Sequence, residues 1–144
     1  MKTIANRNPM TAAIVAAVAG AALVALVALQ LGGRGPRTVT FTAVQTASTQ
    51  TRKDASLTNV NYDGTTKIGH STTTCTTRTS PPQCTSAITL AAGIVNAHWT
   101  VNRSATHHGS IAGGTGSYAG ATGTITITLL NQAATKAKVT LHLR

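Results

Sequence analysis

Acidic residues are nearly missing from this chain of 144 residues: it has no Glu, and its only carboxylates are Asp54 and Asp63. That scarcity excludes chemistry built on paired carboxylates, and it strips the usual oxygen ligands from any metal site. Aromatics are equally sparse. One Phe, one Trp and two Tyr lie far apart along the chain, which leaves no run of stacking platforms for single-stranded nucleic acid. Beyond residue 31 no segment has the apolar spacing of an amphipathic helix. No Ser/His/Asp order and no phosphate loop is present. The Gly-rich stretch near residue 115 lacks both the spacing and the following helix of a dinucleotide fingerprint. Nothing calls for a cofactor.

Basic residues and threonine are abundant instead. Twelve Lys and Arg give a formal net charge of +10, and 28 residues are Thr. From Gly32 onward ten cations face two Asp, a net of +8. The cations are scattered, with Arg52-Lys53 the only adjacent pair in that stretch. This distribution fits solubility and loose adhesion to anionic surfaces better than a specific nucleic-acid interface.

The N-terminus has the layout of a targeting segment. Lys2 and Arg7 precede 21 uncharged residues, Thr11 to Leu31, and Arg34 and Arg37 follow. Two readings stand for residues 1–31: a signal peptide cut near Ala25-Leu-Val-Ala28, or a retained transmembrane helix anchoring the chain in a membrane. Both place the remainder outside the cytoplasm, secreted or held at the cell envelope. Residues 32–37, with Gly-Gly and Gly-x-Pro, read as a linker. An oxidising compartment also suits the two cysteines. Cys75 and Cys84 bracket eight residues, a spacing unlike a zinc site, and a disulfide closing a hairpin is expected.

The rest alternates with period two. Val39, Phe41 and Ala43 interleave with threonines; Val95, Ala97, Trp99 and Val101 interleave with polar residues; Ile125, Ile127 and Leu129, then Val139, Leu141 and Leu143, do the same. Asp63-Gly64 is a hairpin-turn dipeptide. Thr46 to Lys53 is polar without an apolar period and reads as loop. About eight short strands at roughly 8–12-residue spacing predict an all-β sandwich or barrel over residues 38–144. β-branched polar Thr suits the wet face of such a sheet.

The segment Ile111-Ala-Gly-Gly-Thr-Gly-Ser-Tyr118-Ala-Gly-Ala-Thr-Gly-Thr124 is the most informative in the chain. Gly113, Gly114, Gly116 and Gly120 mark a tight corner between two strands, with Tyr118 placed to pack behind it. The pattern GGTGxY-x-GA-x-G resembles that of the allene oxide cyclase and dirigent superfamily. The likeness extends upstream through Ile68-Gly69, Cys75, Cys84 and the strand from Ile88 to Ile94. The resemblance implies an eight-stranded antiparallel barrel and a secreted bacterial relative. It further implies either isomerase-like cyclisation or dirigent-like coupling of a small apolar or phenolic ligand. Homo-oligomers, trimers or dimers, are implied too.

Site candidates follow from both lines. Phe41, Trp99, Val101 and Leu141 are the candidate ligand-lining residues, Trp99 foremost for its flat face and single N–H donor. Asp54 is the one weak candidate for a catalytic carboxylate. The five histidines do not converge on a metal: His107 and His108 are adjacent and point to opposite faces of a strand, while His98 and His142 fall on the face opposite the apolar set. A barrel with a filled interior remains an open alternative. The protein would then be a non-catalytic, cationic envelope component binding anionic polymers or lipid.

Overall fold

In the computed structural model the described residues are 35–144. The expectations for residues 1–31, a signal peptide or anchor helix, lie outside them. Eight strands form in chain order: β1 (Arg37–Gln50), β2 (Asp54–Asp63), β3 (Thr66–Thr76), β4 (Gln83–Leu90), β5 (Gly93–Thr100), β6 (Thr106–Gly114), β7 (Gly123–Leu129) and β8 (Lys136–Leu143). Each pairs antiparallel with the next, and β8 returns to β1, closing the barrel. The seam runs from Arg37 opposite Leu143 to Val44 opposite Lys136. The fold is the all-β antiparallel barrel.

Alternation along each strand sets the inside. Phe41, Val95, Ala97, Ile125, Ile127, Val139, Leu141 and Leu143 are all buried, joined by Ile88, Leu90 and Ile111. Burying each large aliphatic side chain contributes about 1.5–3 kcal/mol. Threonines of the opposite parity face out and meet across strands, as Thr40 does Thr140. One expected boundary shifts: Thr46–Gln50 is strand, not loop, with Thr46 at a bulge and Ala47–Gln50 paired with Ala55–Thr58 of β2. That arm of β1 lies past the last residue of the seam, and all five of its residues are exposed. No apolar period marks it because neither face meets the core.

The two ends of the barrel differ. At one end the glycine corner folds into a 3-10 turn, Gly116–Tyr118, that sits on the connection between β4 and β5. Gly116 has φ +60°, and a Cβ there would meet the Ala92 carbonyl, so only glycine fits without strain. The turn delivers the buried Tyr118 against the core, and Arg37 covers the ring with its guanidinium carbon 4.5 Å from the centroid. Arg37 also donates to the Ser117 carbonyl at 3.2 Å. This end is plugged.

The opposite end carries the β1–β2, β3–β4, β5–β6 and β7–β8 connections. Cys75 and Cys84 face each other across β3 and β4 with Cα atoms 4.0 Å apart and form a buried disulfide near this rim.

Candidate functional site

Between the plugged end and the rim lies a cavity of about 250 Å³. That is close to the lower end of small-molecule sites, and it agrees with the interior expected of eight strands. Its two walls differ in chemistry. Phe41, Ile125, Ile127, Leu129 and Val139, from the adjoining strands β7, β8 and β1, form an apolar wall. Across from them β2 to β6 contribute Asn59, Ser71, Thr73, Ser86, Trp99 and His107.

Parity explains the polar wall. On β4, Cys84, Ser86, Ile88 and Leu90 all point inward; on β3, Ser71, Thr73 and Cys75 do. These polar side chains are buried and bond to one another, as buried polar groups must. Trp99 Nε1–H donates to Ser86 Oγ at 2.9 Å, and Ser86 Oγ and Thr73 Oγ1 are 2.7 Å apart. Asn59 Nδ2 donates to Ser71 Oγ at 3.3 Å, and Ser71 donates in turn to Asn61 Oδ1 at 3.2 Å. Asn61 is fully buried, and its Nδ2 has no partner. Leaving such a donor dry costs about 1–3 kcal/mol.

His107 is the buried titratable group of this wall, 5% exposed. Trp99 stacks on it, centroids 5.5 Å apart. The Asn102 backbone N–H approaches Nδ1 at 3.4 Å, which makes Nδ1 the acceptor and puts the neutral ring's proton on Nε2. Burial first, and the neighbouring His108 second, lower its pKa from the ordinary value of 6.5. The imidazole is therefore neutral at physiological pH and offers an N–H donor. His108 faces solvent and reaches Thr126 Oγ1 at 3.4 Å. His98 and His142 are exposed beside Thr85 and Thr38.

The rim is shaped by the β7–β8 connection, whose Ala134 and Thr135 border the cavity together with Lys136 and Ala137 at the start of β8. Asn131 ties this loop down: its Oδ1 accepts from the Thr135 and Lys136 N–H groups at 3.0 and 3.2 Å, and its Nδ2 donates to Thr135 Oγ1 at 2.8 Å. Arg52, Lys53, Arg78, Arg103 and Lys136, all exposed, lie in or beside the connections at this end, with Asp54 the only carboxylate among them.

Of the four ligand-lining candidates, Phe41, Trp99 and Val101 border the cavity. Leu141 is wholly buried in the packed part of the core and is not among the cavity residues. Asp54 opens β2 as an exposed residue outside the cavity; its carbonyl accepts from Thr51 N–H at 2.8 Å and from Thr51 Oγ1 at 3.1 Å. Gly113, Gly114, Gly116, Tyr118 and Gly120 build the plugged end, away from the cavity. Hydrophobic alternation missed Asn61, Ser71, Thr73, Ser86 and His107. The parity of the two cysteines would have marked the serines and Thr73 as inward. Among the described residues no three His, Cys, Asp or Glu come together as a metal set.

No protein-family model matches the chain, and no curated protein does. Solved structures do. A structure described as pyocyanin demethylase is similar, with TM-score 0.65 and 21% identity, covering 75% of this chain and all of the other. A second, titled as a nonspecific heme-binding cyclase that catalyses a [4 + 2] cycloaddition during neoabyssomicin biosynthesis, has TM-score 0.57 and 13% identity, covering all of this chain and 81% of its own. At these identities the likeness is one of fold: a small eight-stranded barrel.

Proposed function

We propose that the barrel binds one small, flat, mostly apolar or phenolic molecule and orients it for cyclisation or coupling. The cavity with one apolar and one polar wall is the observation that carries this reading. A ring system fits between the aliphatic side chains and the Trp99–His107 stack, and burial of its faces supplies the affinity. Holding such a molecule in one conformation accelerates an intramolecular step without strong acid–base groups. His107, kept neutral, adds an Nε2–H that polarises an oxygen on the ligand, the kind of donor that stabilises charge developing there. The two similar structures are described as a pyocyanin demethylase and as a cyclase that catalyses a [4 + 2] cycloaddition, and both descriptions support a small-molecule site in such a barrel. The GGTG corner supports placement near the allene oxide cyclase and dirigent barrels. The buried disulfide supports export into an oxidising compartment.

The test is titration with N-phenyl-1-naphthylamine, a neutral dye that brightens in apolar sites. One saturable site is expected, with energy transfer from Trp99, the single Trp of the chain. Ile127→Phe narrows the cavity and is expected to weaken binding at least tenfold with the β circular dichroism unchanged. Equal binding by both proteins, or none by the native one, removes the reading.

A further inference from the structure

We infer that the cavity selects ligands bearing hydrogen-bond-accepting oxygen along one edge, such as a ketone, quinone or phenolate, and rejects ammonium cations. This rests on the binding proposed above and adds the ligand's polar chemistry to it.

A count of protons carries the inference. Trp99, Ser86 and Thr73 hold three donor hydrogens between them, one on the indole and one on each hydroxyl. Only two hydrogen bonds join them. Whichever hydroxyl donates across the 2.7 Å contact, one hydroxyl proton is left over in a wall that faces the cavity. The second cluster has the same imbalance. Ser71 accepts from Asn59 and so gives its own proton to Asn61 Oδ1, which leaves Asn61 Nδ2 with both hydrogens unused, although Asn61 is wholly buried and does not itself border the cavity. His107 adds a third surplus donor, because Nδ1 already accepts from the Asn102 N–H and Nε2 makes no hydrogen bond to a described residue.

The buried acceptors of these clusters are better served. Ser86 Oγ, Ser71 Oγ, Asn61 Oδ1 and His107 Nδ1 each take a hydrogen bond already. An oxygen entering the cavity thus meets waiting donors, whereas an ammonium meets the same donors and no carboxylate, with the amide oxygen of half-buried Asn59 as the one side-chain acceptor of these clusters left open. The rim has the same bias. Arg52, Lys53, Arg78, Arg103 and Lys136 raise the potential there, favouring approach of electron-rich or anionic molecules and disfavouring cations.

Three ligands of one shape separate the outcomes: 1-indanone carries the acceptor, indane carries no polar group, and 1-aminoindane is an ammonium at neutral pH. Calorimetric titration of the native protein is expected to show 1-indanone bound at least tenfold tighter than indane, and 1-aminoindane weakest. Carbon-13-edited infrared spectra should place the bound carbonyl stretch below its frequency in an aprotic solvent. In Thr73→Val/Ser86→Ala, checked for fold by circular dichroism, the preference for the ketone is expected to shrink to a few-fold. If that variant does not fold, the native series decides. Indane binding as tightly as 1-indanone, with the carbonyl at its aprotic frequency, overturns the donor wall and leaves the apolar site standing. Tightest binding by 1-aminoindane overturns it as well. No binding by any of the three removes both proposals.

Discussion

Trp99 lies across the imidazole of His107, their planes 30° apart, so the one indole of the chain reports on its one buried histidine. The pair joins β5 to β6 at the cavity wall, and its protonation couples to folding. Because the folded-state pKa of His107 lies below 6.5, the unfolded chain takes up this proton first as pH falls. The stability it contributes is complete above about pH 6.5 and drains away from there down toward the folded value. Trp99, the Asn102 N–H and His108 surround the ring with no carboxylate to reverse that sign. The stability advantage of the native protein over His107→Leu, measured by urea unfolding, should be smaller at pH 5 than at pH 7.5. A gap that widens on acidification contradicts the assignment.

The second prediction concerns the rim disulfide. Cys75 and Cys84 are nine residues apart in sequence, and cross-linking so short a loop stabilises by about 2.5–3 kcal/mol in the chain-entropy view. Cys75→Ala/Cys84→Ala is expected to lower the unfolding free energy by roughly that amount. Mass measured after alkylation, with and without prior reduction, should differ by two labels. Equal labelling would show free thiols.

At the plugged end, Tyr118 and Arg37 make unequal contributions. Tyr118→Ala empties a buried ring site and should cost about 3–5 kcal/mol. Arg37→Ala removes a partly exposed cation–π contact worth about 0.5–1 kcal/mol. Denaturant midpoints of the two variants check the order. Equal losses would mean that the guanidinium contributes as much as the buried ring, against this assignment.

Ser86 is the acceptor that Trp99 depends on. In Ser86→Ala the indole N–H loses its partner inside the barrel, and a loss of about 1–3 kcal/mol is expected. The emission maximum of Trp99 should move with it. An unchanged spectrum and midpoint would indicate that the indole donates elsewhere.

Much of the barrel was legible in the sequence because most strands have one wet and one dry face. Where that contrast holds, in β5, β7 and β8, the inward residues read from alternation are buried or, for Trp99 and Leu129, half-buried at the cavity. In β3 it fails: Thr66–Thr76 is polar on both faces, so Ser71 and Thr73 look no different from the exposed Thr72 and Thr74. The plugged end was readable for another reason, since glycine spacing reports backbone geometry directly. The polar wall was hidden because hydrophobicity scales treat Ser, Asn and His as surface residues, while here the Ser and Asn side chains bond to partners on neighbouring strands inside the barrel. His107 could be separated from His108 by face, but which of the two faced inward depended on register with β7, where it lies opposite Ile127.

The seam between β1 and β8 has a consequence for how the chain may be rewired. Arg37 and Leu143 are neighbours in the ladder although 106 positions separate them, while the other seven pairings are all between successive strands. A short peptide can therefore join the two extremities of the barrel, and new termini can be opened at the exposed Asp63–Gly64 turn without changing any partner. Such a circular permutant makes the β1–β8 pairing local and turns β2–β3 into the pairing of longest range, so its folding rate should stay close to that of the natural order.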